Sequence, residues 1–114
     1  ENSISEDGAL ALSHSVSYLT ELMTLKVAGN SIGSKGAKAL GPSLALMQGL
    51  ETLDLSTNRI GDKGVKAMEP YLEMMRSLKE LSLERNKIGE SMLGMSTVKR
   101  KLKSKLSFVE NLVL

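Results

Sequence analysis

Aliphatic residues recur along this chain with a constant 28-residue period. Residues 50–60 read Leu-x-x-Leu-x-Leu-x-x-Asn-x-Ile, and the same pattern begins one period earlier and one period later. The matching positions are Leu22, Leu25, Val27, Asn30 and Ile32, then Leu50, Leu53, Leu55, Asn58 and Ile60, then Leu78, Leu81, Leu83, Asn86 and Ile88. Self-similarity at a fixed period is typical of a solenoid, in which each unit buries its apolar face against its neighbours.

The polar and apolar positions within one copy predict a strand, a turn and a helix. The alternation at the end of Leu-x-x-Leu-x-Leu is the period of a short strand. An Asn and an Ile-Gly pair follow, and then Ser34 or Asp62, which we expect to be helix N-caps. The helical stripes are Ala37, Leu40 and Leu44 in one copy and Val65, Met68 and Leu72 in the next.

Proline interrupts both of these predicted helices at the same place. Pro42 and Pro70 lie well past the predicted caps, where proline removes a backbone hydrogen bond and clashes with the preceding turn. We therefore expect either a kink at each proline or a helix that ends near Leu40 and near Met68.

The repeat pattern divides the chain into one domain over residues 1–114. Residues 1–21 match the second part of a repeat, the full repeats are 22–49, 50–77 and 78–108, and residues 109–114 match the start of another. Val109, Leu112 and Leu114 restore Leu-x-x-Leu-x-Leu with a three-residue insertion, which predicts a truncated fourth strand. A capping helix that runs through Val109 is the alternative. We expect the chain to be part of a longer array or assembly.

The full pattern, Leu-x-x-Leu-x-Leu-x-x-Asn-x-Ile-Gly-x-x-Gly-x-x-Ala-Leu, resembles the leucine-rich repeat, in particular the 28-residue subtype of the ribonuclease inhibitor. The resemblance covers essentially the whole chain. It implies an α/β solenoid of about three and a half repeats, curved, with a parallel sheet on the concave face and helices on the convex face. Proteins with similar repeats nearly all bind other proteins, and Ran GTPase-activating proteins are among them.

Composition and charge argue against several classes of function. The chain has no cysteine and one histidine, His14, which argues against disulfides and a zinc site. No apolar run approaches the roughly 18 residues of a membrane span, so we expect a cytoplasmic protein, with the nucleus as the alternative. The charge is uneven: residues 1–90 carry ten Lys/Arg against twelve Asp/Glu, a net −2, and residues 91–114 carry five against one, a net +4. We expect no metal, no cofactor and no catalytic residue.

The strand positions that point away from the core predict the partner-binding surface. Neighbouring strands lie about 4.8 Å apart, so these side chains form a continuous grid on the concave face. The predicted partner-binding residues are Thr24, Lys26, Thr52, Asp54, Ser56, Glu80, Ser82, Glu84 and Arg85. Lys26 and Asp54 lie on adjacent strands, where they could form an ion pair.

Two further groups of polar residues recur or cluster in the sequence. Asn30, Asn58 and Asn86 form a ladder, which we interpret as structural, each side chain satisfying backbone groups of its own repeat and the next. A basic run near the end has no counterpart in the other repeats and is a candidate anion-binding helix. Its cations are Lys99, Arg100, Lys101, Lys103 and Lys105.

The sequence thus favours a non-catalytic scaffold that binds a protein partner through the concave face. Two alternatives stay open. One is a GTPase-activating protein of the Ran type, which rests on the repeat subtype alone. The other is an anionic-ligand binder, such as a nucleic-acid binder, that uses the basic helix over residues 99–105.

Overall fold

The computed structural model describes residues 23–89 and 95–114. Short strands and longer helices alternate through these residues. The strands are β1 (Thr24–Lys26), β2 (Thr52–Asp54), β3 (Glu80–Ser82) and β4 (Asn111–Val113), and the helices are α1 (Gly33–Ala45), α2 (Gly61–Glu73) and α3 (Met95–Lys105). One strand and one helix therefore make up each repeating unit, as the spacing predicts.

The four strands form one parallel sheet in sequence order. Leu25 pairs with Leu53 and Leu53 with Leu81, so the structural offset between neighbouring strands equals the 28-residue period of the sequence. Leu81 pairs with Leu112, an offset of 31 that includes the predicted three-residue insertion. Residues 111–113 are a strand, and the alternative of a capping helix through Val109 is wrong.

Among the described residues, one core cluster lies between the sheet and the helices. The central strand residues Leu53 and Leu81 are each 1% exposed, and the predicted helical stripes of α1 and α2 are buried beneath them. In the last unit Val98, Leu102 and Leu106 take the same place. Each repeat unit is covered by the units on either side of it. The aliphatic side chains are therefore removed from water only when the units stack. The expected α/β solenoid is confirmed.

The helices begin and continue differently from the prediction. They begin at Gly33 and Gly61, where φ is +73° and +69°, a region that glycine enters without a steric cost. The flanking Ile32 and Ile60 provide no side-chain cap, so Ser34 and Asp62 are not N-caps. The Asp62 carboxylate instead accepts a hydrogen bond from the Gly89 amide of the following unit, at 2.7 Å.

Both prolines lie inside their helices. Pro42 lies within α1, which runs on to Ala45, and Pro70 lies within α2, which runs on to Glu73. The alternative in which the helices end near Leu40 and Met68 is therefore wrong. Pro42 and Pro70 are both exposed, so the carbonyls that lose a partner lie on the solvent side of their helices.

Candidate interaction surface

The sheet has one face packed on the core and one open face. The register aligns Thr24, Thr52, Glu80 and Asn111 in one row and Lys26, Asp54, Ser82 and Val113 in the next. All eight of these residues are exposed or half-buried, whereas Leu53 and Leu81 between the rows are buried. We call the two rows, with Ser56 and Glu84 beyond them, the sheet face.

The sheet face contains a shallow open depression of about 170 Å³. It is lined by side chains from all four strands, among them Lys26, Asp54, Glu80 and Asn111. The volume is below the roughly 300 Å³ of a typical small-molecule pocket. A depression of this size and openness suits one or two side chains of a protein partner better than an enclosed ligand.

The charges of the sheet face are left available to a partner. Lys26 lies opposite Asp54, but the two form no ion pair, and the Asp54 carboxylate accepts a hydrogen bond from the Ser56 amide at 3.0 Å instead. The expected Lys26–Asp54 pair is therefore absent. Across the residues the structure describes, Glu80 and Glu84 also lack an ion pair. Three carboxylates and one ammonium make this face net negative.

The fourth strand adds residues that the sequence-based set omits. Asn111 extends the Thr24 row, and Val113, which is 38% exposed, extends the Lys26 row. The sequence already indicated these two residues, because a strand over residues 109–114 predicts that its alternate positions lie on the same face as those of the other strands. Applying the alternation of the first three strands to this strand would have found both residues.

Arg85 lies apart from the sheet face to which it was assigned. It follows β3 in a turn, with a φ of +57°, and it lines a second depression of about 200 Å³ on the turn side of the solenoid. The turn pocket, as we call this depression, is lined by Leu83, Arg85, Asn86, Lys87, Ile88, Gly89, Lys99 and Leu114. The turn thus brings Arg85 together with Lys99 of the predicted basic run.

The asparagine ladder joins neighbouring repeats by hydrogen bonds. Asn58 Oδ1 accepts from the Asn30 amide at 2.8 Å, and Asn58 Nδ2 donates to the carbonyls of Leu55 at 3.0 Å and Val27 at 2.9 Å. Asn86 makes the equivalent bonds to Asn58 and to its own repeat. The side chains reach the preceding repeat, so the expectation that they reach the next one was wrong in direction.

The cations of the basic run do not form one surface. Lys105 donates to Glu69 of α2 at 2.7 Å and lies 3.8 Å from Glu73. The hydrogen bond to Glu69 and the attraction of both carboxylates raise the pKa of the Lys105 ammonium. Lys105 is therefore partly neutralised by its own chain. Lys99 lines the turn pocket, and Arg100, Lys101 and Lys103 are exposed.

The remaining expectations concern metals and membranes. In the described ranges, 23–89 and 95–114, no group of three His, Cys, Asp or Glu side chains could hold a metal ion. None of the helices described there is long and apolar enough to cross a bilayer. His14 lies outside the described residues.

Comparison with known proteins gives one family match. A family model described as a Leucine Rich repeat matches residues 18–41 and 48–68. The two matched segments contain β1 with most of α1 and β2 with most of α2, so each covers one strand–turn–helix unit. No curated protein matches the chain at a significant level.

Proposed function

We propose that the chain, which folds as a leucine-rich-repeat solenoid, is a non-catalytic scaffold that binds a protein partner through the sheet face. Domains of this repeat family generally mediate protein–protein interaction, and they are typically without catalytic activity. The concave side of a solenoid is also the surface that such proteins commonly use. The 28-residue spacing further favours the ribonuclease-inhibitor-like subtype.

The observation that carries this proposal is the row of outward side chains on a rigid sheet. The backbone beneath them is held by buried leucines and by the asparagine ladder, so the outward residues keep fixed positions while their identity varies from repeat to repeat. A backbone that is already ordered before binding loses little conformational freedom on binding, which favours affinity.

The charge of the sheet face defines the kind of partner. Glu80 and Glu84 are exposed, and Asp54 lines the depression beside Lys26. A partner with a basic patch, or with a basic residue that enters the depression, would complement these groups. Nothing in the described residues favours a GTPase-activating role over this one.

Charge reversal on the two faces tests the proposal. In Glu80→Lys/Glu84→Lys, neither side chain loses a hydrogen bond or ion pair within the described part of the chain, so the free energy of unfolding should change by less than about 1 kcal/mol. Affinity for a partner, first identified by pull-down and mass spectrometry and then purified, should fall at least about tenfold, because like charges across an interface repel.

The matched control reverses two exposed lysines on the helix side, as Lys38→Glu/Lys66→Glu. It changes the charge by the same four units in the opposite sense, and it should leave the affinity within about threefold of the parent. If this control abolishes binding while Glu80→Lys/Glu84→Lys does not, the helix side is the binding surface and the proposal is wrong.

A further inference from the structure

The outward sides of α1 and α2 carry the same order of residue types. In each helix two lysines in the first half are followed by a proline and then by a large apolar residue at the C-terminal end. Spacings of three, four and four residues place each set on one side of its helix, and all of these residues are exposed. We call them the outer helix surface: Lys35, Lys38, Pro42 and Leu46 from α1, and Lys63, Lys66, Pro70 and Met74 from α2.

The two helices lie close enough for these residues to form one surface. A Cβ on Gly64 would lie 3.1 Å from the Ser34 Cα, so the two backbones are in close contact there. Packed helices have axes about 8–10 Å apart, and three residues along a helix rise about 4.5 Å. The four lysines therefore form a compact group, with two ammonium-bearing side chains on each helix.

The lysines of the outer helix surface are not neutralised by the chain. None of the four forms an ion pair with any residue in the ranges 23–89 and 95–114. α1 contains no acidic residue, and the three acidic residues of α2 bind groups of the next unit. Asp62 accepts a hydrogen bond from the Gly89 amide, and Glu69 and Glu73 pair with Lys105. The outer helix surface is therefore positive, opposite in sign to the sheet face.

Leu46 and Met74 add an apolar part to this surface. They are 54% and 56% exposed, which is high for large apolar side chains, and they occupy the same position in consecutive repeats. Each lies eight residues after the second lysine of its helix, a distance of about 12 Å along the axis. The surface is thus basic toward one end of the two helices and apolar toward the other.

The combination of unpaired lysines and protruding apolar side chains favours an anionic bilayer over other polyanions. A protein partner would need a preformed pocket for each of Leu46 and Met74, and the stacked bases of a nucleic-acid duplex offer these side chains no apolar surface. A bilayer presents anionic headgroups with acyl chains directly beneath them, so aliphatic side chains can insert without a preformed pocket.

We propose that the outer helix surface binds peripherally to an anionic lipid bilayer. Its four lysines lie against the headgroups, and Leu46 and Met74 enter the boundary between headgroups and acyl chains. In this orientation the sheet face, on the other side of the core, points away from the bilayer and stays accessible. The proposal does not depend on the protein partner proposed for the sheet face.

Cosedimentation of the protein with lipid vesicles tests the proposal. Vesicles of phosphatidylcholine alone are compared with vesicles of equal parts phosphatidylcholine and phosphatidylserine, at about 0.1 M salt. We expect binding to the mixed vesicles that saturates with lipid and weakens as salt is added, and binding to phosphatidylcholine alone that is at least about tenfold weaker. No binding to the mixed vesicles, or equal binding to both, overturns the proposal.

Two variants with equal loss of charge test which face meets the bilayer. Lys38→Gln/Lys66→Gln removes two lysines of the outer helix surface and should weaken binding to the mixed vesicles about tenfold or more, since each lysine near an anionic surface contributes about fivefold. Lys26→Gln/Arg85→Gln removes one cation from β1 and one from the turn after β3, both distant from the outer helix surface, and should change binding less than about threefold. Equal losses would mean a general attraction without a preferred face, and the proposal would be wrong.

A third variant tests the apolar part of the surface. Leu46→Ser/Met74→Ser keeps every charge and should weaken binding to the mixed vesicles at least about fivefold. Both side chains are exposed, so the melting temperature should stay nearly unchanged. If this variant binds like the parent, no insertion occurs and the proposal fails. Tighter binding of the parent to duplex RNA or to polyglutamate than to the mixed vesicles would also overturn it, and would identify a nucleic acid or an acidic protein as the ligand.

Discussion

The turns that follow β2 and β3 share a backbone conformation and differ in the side chains that they carry. Residues 57–61 and 85–89 have the same pattern of positive φ values. The second turn carries Arg85 and Lys87 where the first carries Thr57 and Arg59. The repeat therefore fixes the backbone geometry of the turns, while the side chains that each turn carries differ from one repeat to the next.

Neighbouring helices are also joined by different contacts. Between α1 and α2 the contact is close enough that a Cβ on Gly41 would lie 2.5 Å from the Tyr71 ring, so a side chain there would need this aromatic to move. The last helix is joined to α2 by an ion pair from Lys105 to Glu69. All three helices thus pack on the core, and α3 adds a surface ion pair to its contact with α2.

The largest expected effect comes from a charge in the interior layer. Leu53→Asp places a carboxylate at a position 1% exposed, between two strands, where desolvation costs several kcal/mol. That is a large part of the roughly 5–15 kcal/mol that stabilises a small domain. Circular dichroism should show loss of the folded signal, or a melting temperature lower by more than about 10 °C.

The equivalent change in the last strand is the control for this prediction. Leu112 pairs with Leu81, which in turn pairs with Leu53, but Leu112 is only partly buried. Leu112→Asp should therefore lower the free energy of unfolding clearly less than Leu53→Asp does. Equal losses for Leu53→Asp and Leu112→Asp would mean that the last layer is as important to stability as the interior. An unchanged melting curve for Leu53→Asp would contradict the assigned core.

A smaller effect is expected from cutting the asparagine ladder. Asn58→Ala leaves the buried Asn30 amide and the Val27 and Leu55 carbonyls with fewer partners, which should cost about 3 kcal/mol. Ser56→Ala, two residues away on the sheet face, should stay within about 0.5 kcal/mol. Urea unfolding followed by circular dichroism measures both, and similar midpoints for the two variants would show that the ladder adds no stability.

The smallest effect is expected at Lys105. Its hydrogen bond to Glu69 raises the pKa of the ammonium above its ordinary value of 10.5, so the folded state holds the proton more tightly than the unfolded state. The stabilisation is complete below that value and is lost as the pH rises through the higher folded-state pKa. Lys105→Gln should therefore lower the melting temperature slightly at pH 7, by an amount that shrinks above pH 10.5. Lys101→Gln is the control, because Lys101 is exposed on the same helix and has no ion pair among the described residues, and it should change the melting temperature at pH 7 less than Lys105→Gln does.

The sequence alone determined the repeating frame of this protein. The spacing of Leu50, Leu53 and Leu55 fixes which side chains share a face, because each depends only on the local periods of strand and helix. Repetition at a constant period then fixes the register, since every copy must stack on a like copy. Even the shifted register of β4 follows from Val109, Leu112 and Leu114.

The sheet face could be predicted to the same extent, because outward positions follow from the inward ones. The sequence-based set nevertheless omitted Asn111 and Val113 and included Arg85, which lies in the turn. The reason is that alternation holds only within a strand. Once the chain leaves β3 and enters positive φ, the direction of a side chain is no longer given by its place in the repeat.

Only the tertiary structure decided which polar groups meet across repeats. Asp62 was expected to cap its own helix and instead bonds Gly89, and Lys105 was grouped with four other cations but pairs with Glu69. These partners lie in different units, and their distance depends on how two layers stack. Periodicity gives the direction of each side chain from its own backbone, but a hydrogen bond or ion pair requires the position of a second backbone to within about an ångström.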